Sequence, residues 1–198
     1  MKRPAIAILS GAMLMAAAIG QAQVINVSAV SISETDGHGT PTIQNSAYLS
    51  PQGWSFKLGG TSIFTGSVAH TFTLKYTVSA AAGYKLTGYE FDPLGSAIGA
   101  HSDVKVDLTH KIGSVEKVYD YANQTHLASD TGFHALNQTS YNVTAVVTLK
   151  PGTAMFNTAT LTNFNVHYTE QAVPEPAAIA TVLFGISGLL VRRPKRSK

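Results

Sequence analysis

Apolar and polar residues alternate with a period of two along much of the chain. In HTFTLKYTVSA, Phe72, Leu74, Tyr76 and Val78 point one way, and Thr71, Thr73, Lys75, Thr77 and Ser79 the other. That is the pattern of a strand with one dry face. DVKVDLTH repeats it, with Val104, Val106 and Leu108 inward and Lys105, Asp107 and Thr109 outward. YNVTAVVTLKPG does so through Val143, Ala145, Val147 and Leu149, and LTNFNVHYTE through Phe164, Val166 and Tyr168. QVINVSAVSIS, GWSFKL and KLTGYEF are further candidate strands.

Turn chemistry separates these runs: Asp36-Gly37, Pro51-Gln52-Gly53, Gly59-Gly60, Asp92-Pro93 and Pro151-Gly152. Outside the two ends, no long stretch carries the 3.6-residue period of an amphipathic helix, and no internal repeat stands out. Twenty Thr between residues 23 and 172 add branched Cβ atoms that favour strands. Many short strands with regular turns predict an all-β fold, an antiparallel β-sandwich, with a jelly roll as one form of it.

The two ends break the alternation. Lys2 and Arg3 precede an apolar run over residues 5–19, and Gly20-Gln21-Ala22 then supplies small residues. This predicts a secretory signal peptide over residues 1–22, cut after Ala22 by signal peptidase following Sec export. At the other end, residues 177–191 (AAIATVLFGISGLLV) carry no charge, and Arg192, Arg193, Lys195 and Arg196 follow. A helix of that length spans about 22 Å, short of the roughly 30 Å hydrocarbon core. The basic residues supply a cytoplasmic stop and can snorkel to the interface, which makes up the difference. Ahead of the helix, Pro174-Glu175-Pro176 enforces extended backbone clear of both helix and sheet.

This three-part tail, residues 173–198, closely resembles the PEP-CTERM sorting signal of Gram-negative bacteria. The resemblance implies recognition of Pro174, Glu175 and Pro176 by an exosortase, a membrane cysteine transpeptidase that removes the tail. Arg192 and Arg193 match the basic stop; the lysines after Pro194 depart from the Arg-rich pattern. The implied setting is transient anchoring in the inner membrane, then a place at the cell surface or among exopolysaccharide. Residues 67–99 also resemble the exported β domains that often precede such tails.

Charge sharpens the picture of the domain over residues 23–172. The chain's net charge is +3, yet seven of its fourteen Lys and Arg lie in the tails. The domain holds seven Lys, no Arg and ten Asp or Glu, hence 7 − 10 = −3. That excludes a nucleic-acid footprint. The chain has no cysteine, which excludes disulfides, thiolate metal sites and cysteine nucleophiles.

The remaining chemistry is sparse. His38, His70, His101, His110, His126, His134 and His167 form no H-x-H or H-E-x-x-H cluster. His101 and His110 would lie about 30 Å apart on an extended strand and could not share an ion. His167 falls out of phase with Phe164, Val166 and Tyr168 and should face outward. No metal or other cofactor is expected. Glu90-Phe91-Asp92 could flank a sugar or a calcium ion. Asp103, Asp107, Glu116, Asp120 and Asp130 fit solvated strand faces or turns. Trp54, the single tryptophan, suits a core anchor better than a glycan-stacking platform, though with Tyr48, Tyr84 or Tyr89 it could serve as one. The expectation is an exported non-enzymatic surface or matrix protein. A carbohydrate-binding or adhesive module is the alternative, ahead of a secreted hydrolase.

Overall fold

The computed structural model describes residues 25–37, 39–49, 53–64, 67–99 and 103–173. The predicted signal peptide with Ala22, the Pro174-Glu175-Pro176 motif, the apolar helix and the basic stop all lie outside these residues. So do His38 and His101.

Eleven strands form, and no helix occurs among the described residues. They are β1 (Ile25–Glu34), β2 (Thr42–Leu49), β3 (Gly53–Gly59), β4 (Ser62–Phe64), β5 (His70–Ala80), β6 (Tyr84–Ile98), β7 (Lys105–Ile112), β8 (Val115–Ala122), β9 (Asp130–Gln138), β10 (Ser140–Lys150) and β11 (Thr158–Ala172). One antiparallel sheet runs β1-β5-β10-β7-β8. The second runs β2-β3-β11-β6-β9, with β4 pairing the start of β11. Apart from the hairpins β2–β3 and β7–β8 and the step β3–β4, consecutive strands lie in different sheets, so the chain closes the sandwich from both sides.

The period-two faces meet in one core. Phe72, Leu74 and Val78 of β5, Val106 and Leu108 of β7, and Val143, Ala145, Val147 and Leu149 of β10 are buried. They face Phe56, Leu86, Tyr89, Phe91, Phe164 and Val166 of the second sheet. Burying each large apolar side chain is worth about 1.5–3 kcal/mol, which is how a cysteine-free chain holds its sheets together. Tyr76 and Phe56 meet across the sheets at 4.8 Å between ring centroids. The Tyr76 and Tyr168 hydroxyls pair at 2.9 Å inside the core. Both phenols are raised well above their ordinary range, chiefly by burial.

Left-handed glycines sit where the turn signals predict them: Gly37, Gly60 and Gly152 all have positive φ. Asp92-Pro93 is a correction. It is not a turn but lies inside β6, paired with Asn165 and Phe164 of β11. Proline is tolerated there because β9 stops pairing at Phe91, so no partner needs the missing N–H.

The carboxylates over residues 103–120 behave as expected. Asp103 accepts hydrogen bonds from Thr153 N (2.7 Å) and Oγ1 (2.9 Å) in the β10–β11 turn. Asp107, Asp120 and Glu116 pair with Lys150, Lys105 and Lys111 on the outer face of the first sheet. Asp130 departs from that pattern, as described below.

Candidate functional site

Sheet register sets the polar face of the second sheet. β6 buries Tyr89 and Phe91, so Glu90 and Asp92 project to the opposite, solvent side. β11 buries Phe164, Val166 and Tyr168, so Asn165 and His167 project the same way. Pairing places His167 beside Glu90 and, on its other flank, Gly53 of β3. Asn165 lies between Asp92 and Ser55. Two polar ranks therefore cross three adjacent strands, about 4.8 Å apart between strands and roughly 7 Å apart along them.

Gly53 is part of this geometry. A Cβ there would come within 2.7 Å of His167 Nδ1 and 2.9 Å of Cε1. The missing side chain lets the imidazole lie over β3. Asn165 is only 6% exposed, and its amide oxygen is buried without a hydrogen-bond partner.

The β8–β9 segment walls one end. Ser129 Oγ donates to Asp92 Oδ1. Asp130 accepts from Tyr119 Oη at 2.8 Å and from Gly132 N at 2.9 Å, and pairs with His134 Nε2 at 2.7 Å. Burial alone would raise the Asp130 carboxyl. The hydrogen bonds from His134, Tyr119 and Gly132 outweigh it and hold the group below its usual range. Tyr119 is raised by burial and by its bond to Asp130. Asp130 thus ties β9 to the edge strand of the opposite sheet and fixes the wall.

Glu90, Phe91, Asp92, Ser129, Asp130, Thr131 and His167 line an open pocket of about 250 Å³. Among the described residues, three carboxylates and no Lys or Arg face it. Such a surface accepts hydrogen bonds from hydroxyl groups and repels anions. Glu90 and Asp92 leave the same strand side by side rather than facing each other across a cleft.

Other candidates fall elsewhere. Trp54 sits on the opposite side of its strand, partly buried against the core, with its ring edge-to-face to Tyr48 at 6.3 Å. Tyr89 is fully buried, its hydroxyl pushed up to about 12 by burial and by Asp130. His126 lines a separate hollow with Leu94 and Thr162. His70, His110 and His134 are all buried, in phase with the apolar residues of their strands. That phase is the signal by which sequence reasoning could have found them.

A second surface is apolar. Phe64, Met155 and Phe156, 60%, 74% and 87% exposed, border a hollow of about 420 Å³ completed by Asn157 and Thr158. Phe156 adopts φ +64°, a strained conformation for an aromatic residue.

Neither the family models nor the curated proteins contain a match to this chain. Among solved structures, TmCBM61 in complex with beta-1,4-galactotriose aligns at TM-score 0.32 and 13% identity, covering 74% of this chain and 90% of that one. A ruminal GH26 endo-beta-1,4-mannanase aligns at TM-score 0.28 and 15% identity over 73% of this chain. The aligned part is 26% of the mannanase. Likeness at this level carries no inference about function.

Proposed function

We propose that this is an exported, non-enzymatic surface protein whose sandwich holds neutral polysaccharide on the outer face of the second sheet. The observation that carries the binding half is the pair of polar ranks, Glu90–His167–Gly53 and Asp92–Asn165–Ser55, opening into a pocket of acceptors. Carbohydrate hydroxyls are donors, and fixed carboxylates accept from them with charge-assisted bonds. The Ser129–Asp92 and Tyr119–Asp130 bonds pre-order the site, so less side-chain entropy is lost on binding. Excess negative charge selects against uronates and sulfated glycans.

The export half rests on the sequence ends: a signal peptide cut after Ala22, and a tail in which Pro174, Glu175 and Pro176 are presented to an exosortase while Arg192 and Arg193 stop transfer. After processing, the domain would stand among the exopolysaccharide it binds.

A glycan array tests the binding. The protein should bind neutral glycans, and Asp92→Asn and His167→Ala should each weaken that binding at least tenfold. Binding confined to acidic glycans, or none at all, would refute it. Mass spectrometry of the exported protein tests the sorting, which requires a mature C-terminus before residue 177.

A second reading has its own observation. The exposed Phe64, Met155 and Phe156 exceed what scattered surface apolar residues require. They suit an adhesive contact with another macromolecule. Loss of cell–cell cohesion in Phe156→Ser, with glycan binding intact, would favour it.

A further inference from the structure

Glu34 ends β1 and Asp36 follows in the turn, while His70 opens β5, the strand paired with β1. The fold brings their side chains to one point. His70 Nε2 lies 3.9 Å from Glu34 Oε2 and 4.0 Å from Asp36 Oδ1, and one ligand atom from each residue falls within 4.8 Å of the others. These separations exceed a hydrogen bond. The two distances from His70 match atoms gathered around a common centre, since bonds of about 2.0–2.2 Å from one ion hold its ligand atoms roughly 3–4 Å apart.

Each carboxylate is already fixed through its other oxygen. Glu34 Oε1 accepts from Gly37 N at 3.1 Å, and Asp36 Oδ2 accepts from Thr71 N. The remaining oxygens face the imidazole. Glu34 Oε2 is fully buried and has no hydrogen-bond partner. A carboxylate oxygen in that state is costly unless a cation compensates it. The His70 ring is held by burial, 3% exposed, and by Phe72 at 5.6 Å between ring centroids.

We propose that Glu34, Asp36 and His70 bind one divalent transition-metal ion of the zinc type, which latches the end of the edge strand β1 to the start of β5. One imidazole and two carboxylates suit zinc or manganese; the nitrogen ligand disfavours calcium and magnesium. Two carboxylates balance the double positive charge, and water completes the coordination. The role is structural and lies apart from the polar pocket on the other sheet.

The test is calorimetric titration of Zn²⁺ into the chelator-treated full chain, with thermal unfolding in parallel. Wild type should bind one equivalent. Its Tm should rise by roughly 5–10 °C at zinc about a hundred times Kd. Asp36→Asn, in an exposed turn with its side chain about one-fifth exposed, should keep the metal-free Tm within about 2 °C yet weaken zinc at least tenfold. Glu34→Gln serves as a second isosteric variant with the same expectation. Failure of wild type to bind stoichiometrically, or zinc affinity equal to wild type in both variants, would overturn the proposal. The latter would place the zinc on other histidines.

Discussion

His110 should make the protein acid-sensitive, and replacing it with leucine should stabilise the fold. The ring is fully buried, with centroids 5.2 Å from Tyr89, 5.1 Å from Phe91 and 5.2 Å from Phe164. Neither ring nitrogen has a hydrogen-bond partner. Burial, with a smaller contribution from His134, lowers its pKa from 6.5 to about 3. The unfolded chain therefore takes up the proton first as pH falls. The titration of this ring leaves stability unchanged above pH 6.5 and lowers it progressively on acidification toward pH 3. Linkage puts that loss at about 2 kcal/mol between pH 7 and pH 5, and about 3 kcal/mol by pH 4. At pH 7 the two unpartnered nitrogens still cost about 1–3 kcal/mol each, partly offset by imperfect repacking. His110→Leu should thus gain about 2 kcal/mol at pH 7 and about 4 kcal/mol at pH 5. Urea unfolding of both proteins at the two pH values reads this directly, since the other histidines cancel in the difference. Equal pH dependence in wild type and variant, or a variant less stable by 1 kcal/mol at pH 7, would refute the reasoning.

Tyr76→Phe leaves the buried Tyr168 hydroxyl unpaired and should cost about 1–3 kcal/mol in chemical denaturation, whereas the Tyr76→Phe/Tyr168→Phe double variant should recover most of it. Asp130→Ala releases Tyr119, His134 and Gly132 together and should cost about 2–3 kcal/mol, with faster amide exchange in β9. Phe156→Gly relieves a left-handed aromatic residue and should raise stability by about 0.5–1 kcal/mol in thermal unfolding. Gly53→Ala drives a Cβ into the His167 ring and should weaken glycan binding severalfold while leaving the metal-dependent Tm shift unchanged.

The interior strands were legible in the sequence because each has a full dry face. Phe72 to Val78, Val104 to Leu108 and Val143 to Leu149 are buried where alternation places them. Of the four edge strands only β1 was, through QVINVSAVSIS; β2, β8 and β9 were not. β8 buries only Tyr121 and leaves Val118 70% exposed, and β9 carries an exposed Phe133 beside Gly132. Their strand state comes from pairing with β7 and β6, which no local pattern records. Pro93 misled for the opposite reason: its local turn chemistry is real, but its neighbours on β11 override it.

The same contrast holds for the candidate site. His167 faces outward as its phase predicts, and Glu90 and Asp92 flank a pocket. The Asp130–His134–Tyr119 cluster and the Glu34–Asp36–His70 grouping depend on which strands lie together. His70 and Glu34 are far apart in sequence and adjacent only through the β1–β5 register.

Affinity electrophoresis through gels containing extracellular polysaccharide from the native cells, split into neutral and acidic fractions, tests the central claim most directly. The neutral fraction should retard the wild-type protein, with Asp92→Asn running free and the acidic fraction having no effect. Equal retardation of the two proteins, or retardation by the acidic fraction alone, would contradict it.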